Sequence, residues 1–143
     1  MSDTEPWLSA DARSLFGTRG VGELAERMGI ELLELSAERA VATMPVEGNR
    51  QPLGLLHGGA YVVIAESLGS MAANVWGHPK NKFAVGIEVN ASHSASATGG
   101  LVTATCTALT LGSTLTLHEI VIADEEGKRL STVRITNLLR ERR

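Results

Sequence analysis

The chain has 143 residues, of which 43% are hydrophobic and 20% charged, with 13 lysines and arginines against 16 aspartates and glutamates. This length predicts one domain, residues 1–143, whose core needs no disulfide or metal to hold it together. The net charge of −3, with no basic cluster longer than the tail at residues 140–143, argues against nucleic acid as the partner.

The first residues and the cysteine content indicate the compartment. The chain begins with acidic and polar residues that no apolar run follows closely, so no secretory signal is predicted. The single cysteine, Cys106, alternates with small apolar residues and is predicted to pack in the core rather than to react. A chain that cannot form an internal disulfide suits a reducing compartment, and the expected location is the cytoplasm.

Short helices and two strands come first along the chain. Residues 9–28 combine apolar side chains at helical spacing with several glycines. This pattern predicts one or two surface helices, which make residues 1–28 an N-terminal helical segment. Residues 30–35 and 39–46 then alternate as β-strands do, and the polar residues 47–52 predict a loop.

A long apolar helix is predicted over Gly58–Gly77. It carries one charged side chain, Glu66. Its serines, its asparagine and its many glycines and alanines are typical of a buried helix in a soluble protein rather than of a membrane span. We therefore expect no association with a membrane.

Four strand candidates follow the long helix: residues 83–91, 101–111, 114–123 and 129–139. Consecutive strands joined by short turns predict an antiparallel sheet. The expected class is therefore α+β, with the sheet wrapped around the long helix. One sheet covers only part of a helix that is apolar all round, so a second copy of the chain is expected to cover the rest.

Glu66 is the strongest candidate for chemistry. It is the one charged side chain between Gln51 and Pro79. Burial of a lone carboxylate is costly and raises its pKa toward values suited to acid or base catalysis. The alternative is a structural role, in which Glu66 pairs with an arginine from elsewhere or accepts backbone hydrogen bonds.

Helical geometry places a group of mostly small residues on the same side as Glu66. These residues are Gly59, Val62, Gly69, Ser70, Ala73 and Gly77. Glycine inside a helix costs about 1 kcal/mol relative to alanine, so we expect a backbone or a ligand to approach this side closely. Ser70, one turn after Glu66, either bonds a water or ligand or bonds its own backbone.

The tripeptide His57-Gly58-Gly59 begins this helix. Unpaired N–H groups at a helix start stabilise a developing oxyanion, and glycine lets a substrate carbonyl come near them. The tripeptide alone is a weak motif. It becomes specific because Gln51 lies six residues upstream of His57 and Glu66 lies nine residues downstream.

Other motifs point away from cofactors. The sequence holds no Gly-x-Ser-x-Gly elbow, no phosphate-binding loop and no paired histidines at zinc spacing. Neither a metal nor another cofactor is therefore expected. His118, between Leu117 and Glu119 on a predicted strand, is predicted to be structural.

Three segments together resemble the hotdog-fold acyl-CoA thioesterases. They are QPLGLLHGGA (residues 51–60), AESLGS (65–70) and GIEVNASH (86–93). The closest branch holds the Arthrobacter-type 4-hydroxybenzoyl-CoA and the 1,4-dihydroxy-2-naphthoyl-CoA thioesterases. The resemblance covers residues 20–140. It implies a hotdog fold, assembly as a dimer or a dimer of dimers, and cofactor-free hydrolysis of an acyl-CoA to the free acid and CoA.

The resemblance also implies roles for single residues. The catalytic carboxylate falls on Glu66, as nucleophile or general base, and the carbonyl-polarising N–H falls on Gly58. Gln51 corresponds to the glutamine near the thioester, and His57 to the histidine that buttresses the loop. Ser70 corresponds to the hydroxyl residue that helps to place water.

The expected substrate contacts are Gly59, Val62, Gly69, Ala73 and His93. His93 belongs to the segment that lines the acyl or CoA side in the family. Residues 94–98 lack the arginine or lysine that relatives often place there for the CoA phosphates. This departure leaves Arg134 and the terminal arginines as the remaining candidates for those contacts.

Several alternatives stay open at this point. A non-catalytic acyl-CoA-binding module on the same fold would not need an isolated carboxylate, so Glu66 favours the enzyme. A hydratase of related fold would want an Asp and His pair at the helix start, which this sequence lacks. The branch favours an aromatic acyl group, with medium-chain aliphatic thioesters, or an acyl carrier protein in place of CoA, as competitors.

Overall fold

The computed structural model describes residues 5–143, so the first four residues of the predicted N-terminal segment lie outside it. A two-residue strand, β1 (Trp7–Leu8), precedes two short helices, α1 (Ala10–Phe16) and α2 (Glu23–Arg27). The Ser9 side chain starts α1 by accepting a hydrogen bond from the Ala12 N–H. The two helices were predicted. β1 was not, because two residues carry no periodicity.

Seven strands form one sheet in the order β1-β2-β3-β5-β6-β7-β4. The strands after β1 are β2 (Glu31–Leu35), β3 (Arg39–Pro45), β4 (Lys82–His93), β5 (Leu101–Leu111), β6 (Leu115–Ala123) and β7 (Arg129–Glu141). Every neighbouring pair is antiparallel except β1 with β2. The α+β class and all six longer strands are as predicted from the sequence.

The one long helix, α3 (Gly58–Gly77), spans twenty residues and lies against the sheet. Its large apolar side chains, including Ile64 and Leu68, are fully buried beneath the strands. Gly69 allows this close packing, because a Cβ there would stand 2.3 Å from Cγ2 of Ile135 on β7. A 3₁₀ turn with Pro79 ends the helix. No helix within residues 5–143 combines the length and hydropathy that a membrane crossing needs.

β4 lies at one edge of the sheet, where it pairs with β7 alone among the described strands. It runs two residues past its predicted end at Ala91, since Ser92 and His93 continue the ladder with β7. On this strand Val85 and Ile87 are 38% and 55% exposed. The edge therefore presents aliphatic side chains and unpaired backbone groups together.

Two polar residues predicted as structural are buried in the core. Cys106 on β5 is fully buried, and burial raises the pKa of its thiol to about 12. His118 on β6 is also fully buried, and its Nε2–H donates to the Ala37 carbonyl over 2.9 Å. Burial lowers the pKa of His118, against smaller opposing effects of that hydrogen bond and of Glu38. The neutral imidazole is thus a packed core residue.

Candidate active site

The start of α3, which we call the helix entrance (residues 56–59), is organised by one histidine. His57 is the N-cap residue: its Nδ1 accepts from the Gly59 N–H at 2.8 Å, and its carbonyl accepts from the Ala60 N–H at 2.9 Å. An accepting Nδ1 leaves the ring proton on Nε2. The Gly58 N–H has no hydrogen-bond partner within residues 5–143. The helix thus offers one free donor at its positive end.

Gln51 lies in a tight loop just before the helix entrance. Its N–H donates to the Leu55 carbonyl, its carbonyl accepts from the Gly54 N–H, and its Oε1 accepts from the Leu53 N–H. The His57 N–H donates to the Asn49 carbonyl and ties this loop to the helix. The side-chain oxygen of Gln51 is therefore held by its own loop.

His93 reaches the helix entrance from the far end of β4. Its Nδ1 lies 2.8 Å from the Ser131 hydroxyl, which donates to the Ser92 carbonyl at 3.3 Å, so Nδ1 carries the ring proton. The Tyr61 ring packs beside the imidazole at 4.9 Å between centroids. A Cβ on Gly58 would stand 3.1 Å from Nε2 of His93. Glycine at the helix start therefore leaves room for this imidazole.

A second group of residues lies where α3 packs against β4 and β7. Here Glu66 is exposed, and its Oε1 lies 3.2 Å from the point where a Cβ on Gly86 would stand. The Ser70 hydroxyl donates to Asn137 Oδ1 at 3.5 Å, and Asn137 Nδ2 donates to the Gly69 carbonyl at 3.4 Å. We call Glu66, Ser70, Gly86 and Asn137 the Glu66 cluster.

A single chain does not bury Glu66. In the single chain its side chain is exposed, beside the edge strand β4. The alternative of a structural ion pair is not supported either, since no lysine, arginine or histidine of residues 5–143 lies within 4.0 Å of its carboxylate. Glu66 is thus an exposed carboxylate at the sheet edge, with no ion-pair partner within residues 5–143.

The two serines of α3 differ in the hydrogen bonds that their hydroxyls make, which bears on the two alternatives stated for Ser70. Ser67 bonds the carbonyl of Val63 in its own helix at 2.7 Å, whereas Ser70 turns to Asn137 on β7. The backbone alternative therefore describes Ser67 and not Ser70. Ser70 is half-buried, one turn from Glu66.

Two of the predicted substrate contacts are buried within the chain although they share the Glu66 side of the helix. Gly69 and Ala73 are buried in the core of the chain, where their small size serves helix–sheet packing rather than ligand access. Gly59 is exposed and Val62 is half-buried. These two residues, with His93, are the predicted contacts that a ligand can reach.

Two residues of the site, Ser131 and Asn137, have no counterpart in the sequence argument, and Gly86 entered it only as the first residue of the segment 86–93 without a role. The inward row of β7 reads Ser131, Val133, Ile135, Asn137 and Leu139, and its two polar members bond His93 and Ser70 respectively. Polar residues within a buried row were the available signal. Gly86 carried none, because only the packing of β4 against α3 brings it near Glu66.

A cavity of about 360 Å³ opens beside the helix entrance. Its lining includes apolar Met28, Ala60 and Val63, and polar Asn49, Arg50 and His57. The Arg50 guanidinium donates to the Thr98 carbonyl. No group of three or more His, Cys, Asp or Glu side chains within residues 5–143 could hold a metal ion. The site accordingly consists of a carboxylate, a free amide and an apolar cavity.

The comparisons with known proteins agree with one another. Residues 53–131 match the family model described as the thioesterase superfamily. The proofreading thioesterase EntH of Cronobacter turicensis is 44% identical over 81% of this chain and 85% of that protein. The 1,4-dihydroxy-2-naphthoyl-CoA hydrolase of Escherichia coli is 40% identical over 84% and 88%. A crystal structure of a thioesterase from Haemophilus influenzae superposes with a TM-score of 0.79 at 32% identity, covering 90% of this chain and 87% of that one.

Proposed function

Because this chain belongs to the thioesterase superfamily, with the hotdog fold expected from its sequence, we propose a specific division of labour for the hydrolysis of an acyl-CoA. The Gly58 N–H polarises the thioester carbonyl, and Glu66 supplies the carboxylate. The observation that carries this proposal is the free Gly58 donor at the start of a twenty-residue helix.

The reaction needs only groups that the chain holds. A nucleophile adds to the thioester carbon, the oxyanion accepts from the Gly58 N–H, and collapse breaks the C–S bond. In one route Glu66 takes a proton from the attacking water. In the other the Glu66 carboxylate attacks the thioester carbon directly and forms an anhydride that water then cleaves. Both routes consume one water and yield the free acid and the CoA thiol.

Each active site is proposed to use two chains. Gly58 and Glu66 are eight residues apart on one helix, which separates them by about 12 Å along its axis. That distance is too long for both to act on one thioester carbon. Two α3 helices packed antiparallel about a two-fold axis would bring Glu66 toward Gly58 and Gln51 of the partner subunit.

The surface of the chain supports this assembly. The uncovered side of α3 and the edge strand β4 adjoin each other, and β4 exposes Val85 and Ile87. A second chain placed there would cover both features and give two equivalent sites per dimer. Pairs of such dimers would form the proposed dimer of dimers.

The acyl group is proposed to be aromatic and to occupy the cavity beside the helix entrance. Its volume of about 360 Å³ is within the usual range for small-molecule sites, and its apolar lining suits a ring. The named activity of the Escherichia coli relative is on an aromatic acyl-CoA. The CoA phosphates would then meet exposed arginines, for which Arg134 and the terminal arginines are the candidates.

A thiol-release assay over aromatic and medium-chain aliphatic CoA thioesters tests the proposal. We expect turnover, fastest with an aromatic acyl group, and a loss of kcat of at least about a hundredfold in Glu66→Gln with little change in CoA binding. The matched control is Glu126→Gln, an exposed carboxylate in a turn far along the chain. Binding of CoA without turnover of any thioester would favour the non-catalytic module instead.

A further inference from the structure

Hydrogen bonds hold the Arg50 guanidinium in one place beside the helix entrance. The Arg50 backbone pairs with Leu56 in an antiparallel bridge, which fixes the base of the loop between them. The Nε–H and one Nη2–H of Arg50 both donate to the Thr98 carbonyl, at 3.4 and 3.1 Å. The Leu56 N–H donates to the Ala97 carbonyl, so the same two segments are joined twice. The backbone and the side chain of Arg50 are therefore both oriented within the chain.

Thr98 occupies only one edge of this guanidinium. An arginine side chain has five N–H groups, and the two bonded to Thr98 leave three, of which two lie parallel on the terminal Nη1–Nη2 edge. Within residues 5–143 this edge has neither a hydrogen-bond acceptor at Nη1 nor a carboxylate within 4.0 Å. We call it the Arg50 fork. A fork of this shape fits the two oxygens of a carboxylate or a phosphate.

Arg50 lines the cavity of about 360 Å³ beside the helix entrance, which has apolar walls at Ala60 and Val63. His57 adds a second donor to the lining, because its accepting Nδ1 leaves the ring proton on Nε2. Asn49 adds none, since its Nδ2 donates to two backbone carbonyls. No aspartate or glutamate of residues 5–143 lines the cavity. The cavity thus combines an apolar wall with a positive charge, which suits an anionic group on an otherwise apolar molecule.

We propose that the Arg50 fork binds an oxyanion of the acyl-CoA in a bidentate contact. This inference rests on the proposed hydrolysis of an acyl-CoA. Two parts of such a substrate carry the required chemistry: a carboxylate on the acyl group inside the cavity, and a phosphate of CoA at its mouth. Arg50 also places a guanidinium on residues 94–98, which hold no basic side chain of their own.

Arg50→Met tests the proposal, because it removes the fork and keeps an unbranched stem. The matched control is Arg13→Met: the Arg13 guanidinium also donates to a backbone carbonyl, that of Leu8, but lies outside the cavity lining. Thermal unfolding establishes that both variants are folded at the assay temperature. The measured quantity is a ratio between two ligands of one variant, since mere loss of the bond to Thr98 would weaken both ligands alike.

Two pairs of ligands distinguish the two sources of the oxyanion. Calorimetry with CoA and with pantetheine, which has no phosphate, measures the phosphate contact. The kcat/KM values for 4-carboxybenzoyl-CoA and benzoyl-CoA measure the carboxylate contact. In at least one pair we expect the wild type to favour the ligand with the oxyanion, and Arg50→Met to lower that ratio about tenfold. The pair that responds identifies the source.

Arg50→Lys keeps the charge without the fork, so it should recover only part of the ratio. The inference is overturned by ratios that stay unchanged in Arg50→Met, by equal weakening of both ligands in each pair, by the same change in Arg13→Met, or by full recovery in Arg50→Lys. The proposed function fails on different results. A wild type that binds CoA yet hydrolyses no thioester, or a fully active Glu66→Gln, would contradict that function and leave the calorimetry of Arg50→Met unaffected.

Discussion

The helix entrance and the Glu66 cluster differ in how many of their polar atoms form hydrogen bonds within one chain. At the entrance, His57, Ser131 and the loop at residues 51–55 use nearly every donor and acceptor, and one free N–H remains at Gly58. Around Glu66 the carboxylate is exposed and without an ion-pair partner in the described chain. The entrance thus has one unused N–H within a hydrogen-bonded frame, whereas Glu66 is an exposed carboxylate without such a frame.

At the helix entrance, removal of the free Gly58 N–H should have the largest effect on kcat. Proline at Gly58 has no N–H but suits the first position of a helix, and the extended His57 before it is compatible with proline. We expect Gly58→Pro to lower kcat about a hundredfold. Gly58→Ala is the control, since it adds a Cβ near His93 and keeps the N–H. Equal losses in both variants would assign the effect to crowding of His93.

Loss of the Ser131 hydroxyl should loosen the entrance without removing its donor. In Ser131→Ala the His93 ring loses its Nδ1 partner, while the Tyr61 contact remains. We expect kcat to fall roughly tenfold, because the His93 imidazole next to Gly58 is no longer held in one orientation. Ser94→Ala, which removes only a 3.4 Å bond to a backbone carbonyl, is the control. Wild-type kcat in Ser131→Ala would exclude a positioning role for this pair.

In the Glu66 cluster, loss of the Ser70 hydroxyl should lower kcat less than the changes at the helix entrance do. Ser70→Ala removes the hydroxyl one turn from Glu66 and leaves Glu66 in place, so we expect kcat to fall about threefold to tenfold. Ser67→Ala lies on the same helix and removes a bond to the helix backbone alone. The ratio of the two rates measures what Ser70 adds. A ratio near one would remove Ser70 from the site.

A buried histidine outside both regions should affect stability but not catalysis. Burial holds the pKa of His118 below its ordinary value of 6.5, so below pH 6.5 the unfolded chain binds a proton that the folded chain does not. The part of the free energy of unfolding that depends on neutral His118 is present in full above pH 6.5 and is lost as the pH falls toward the pKa of the folded chain. Urea unfolding at pH 7.5 and 5.5 should show this decline, and His118→Gln should reduce it. An unchanged decline in the variant would assign it to other groups.

The sequence predicted most elements of the fold, because their periodicities are local properties. The bounds of α3 and β5 were correct, whereas the two-residue β1, the 3₁₀ turn after α3, the first residue of β4 and the last two residues of both β4 and β7 were missed. The site was less accessible to prediction. Exposure of Glu66 and burial of Gly69 depend on where the edge of the sheet ends over the helix. Hydrophobicity does not encode that position when every side of the helix is apolar.

The residues that sequence reasoning missed share one physical cause. Gly86 and Asn137 lie far from Glu66 along the chain, and a bulge in the pairing of β4 with β7 brings them together. No spacing rule connects residues 66, 86 and 137. The motif around His57 was found because its members are close in sequence and act through one helix terminus.

Subunit mixing tests the central claim, that Glu66 of one chain acts with Gly58 of the other. Chains carrying Glu66→Ala are mixed with chains carrying Gly58→Pro and allowed to exchange. Random exchange makes half of the dimers heterodimers, each with one intact site of two, so about a quarter of wild-type activity should return. Sites built within single chains would all carry one lesion. Heterodimers verified by mass spectrometry that remain inactive would contradict the shared site.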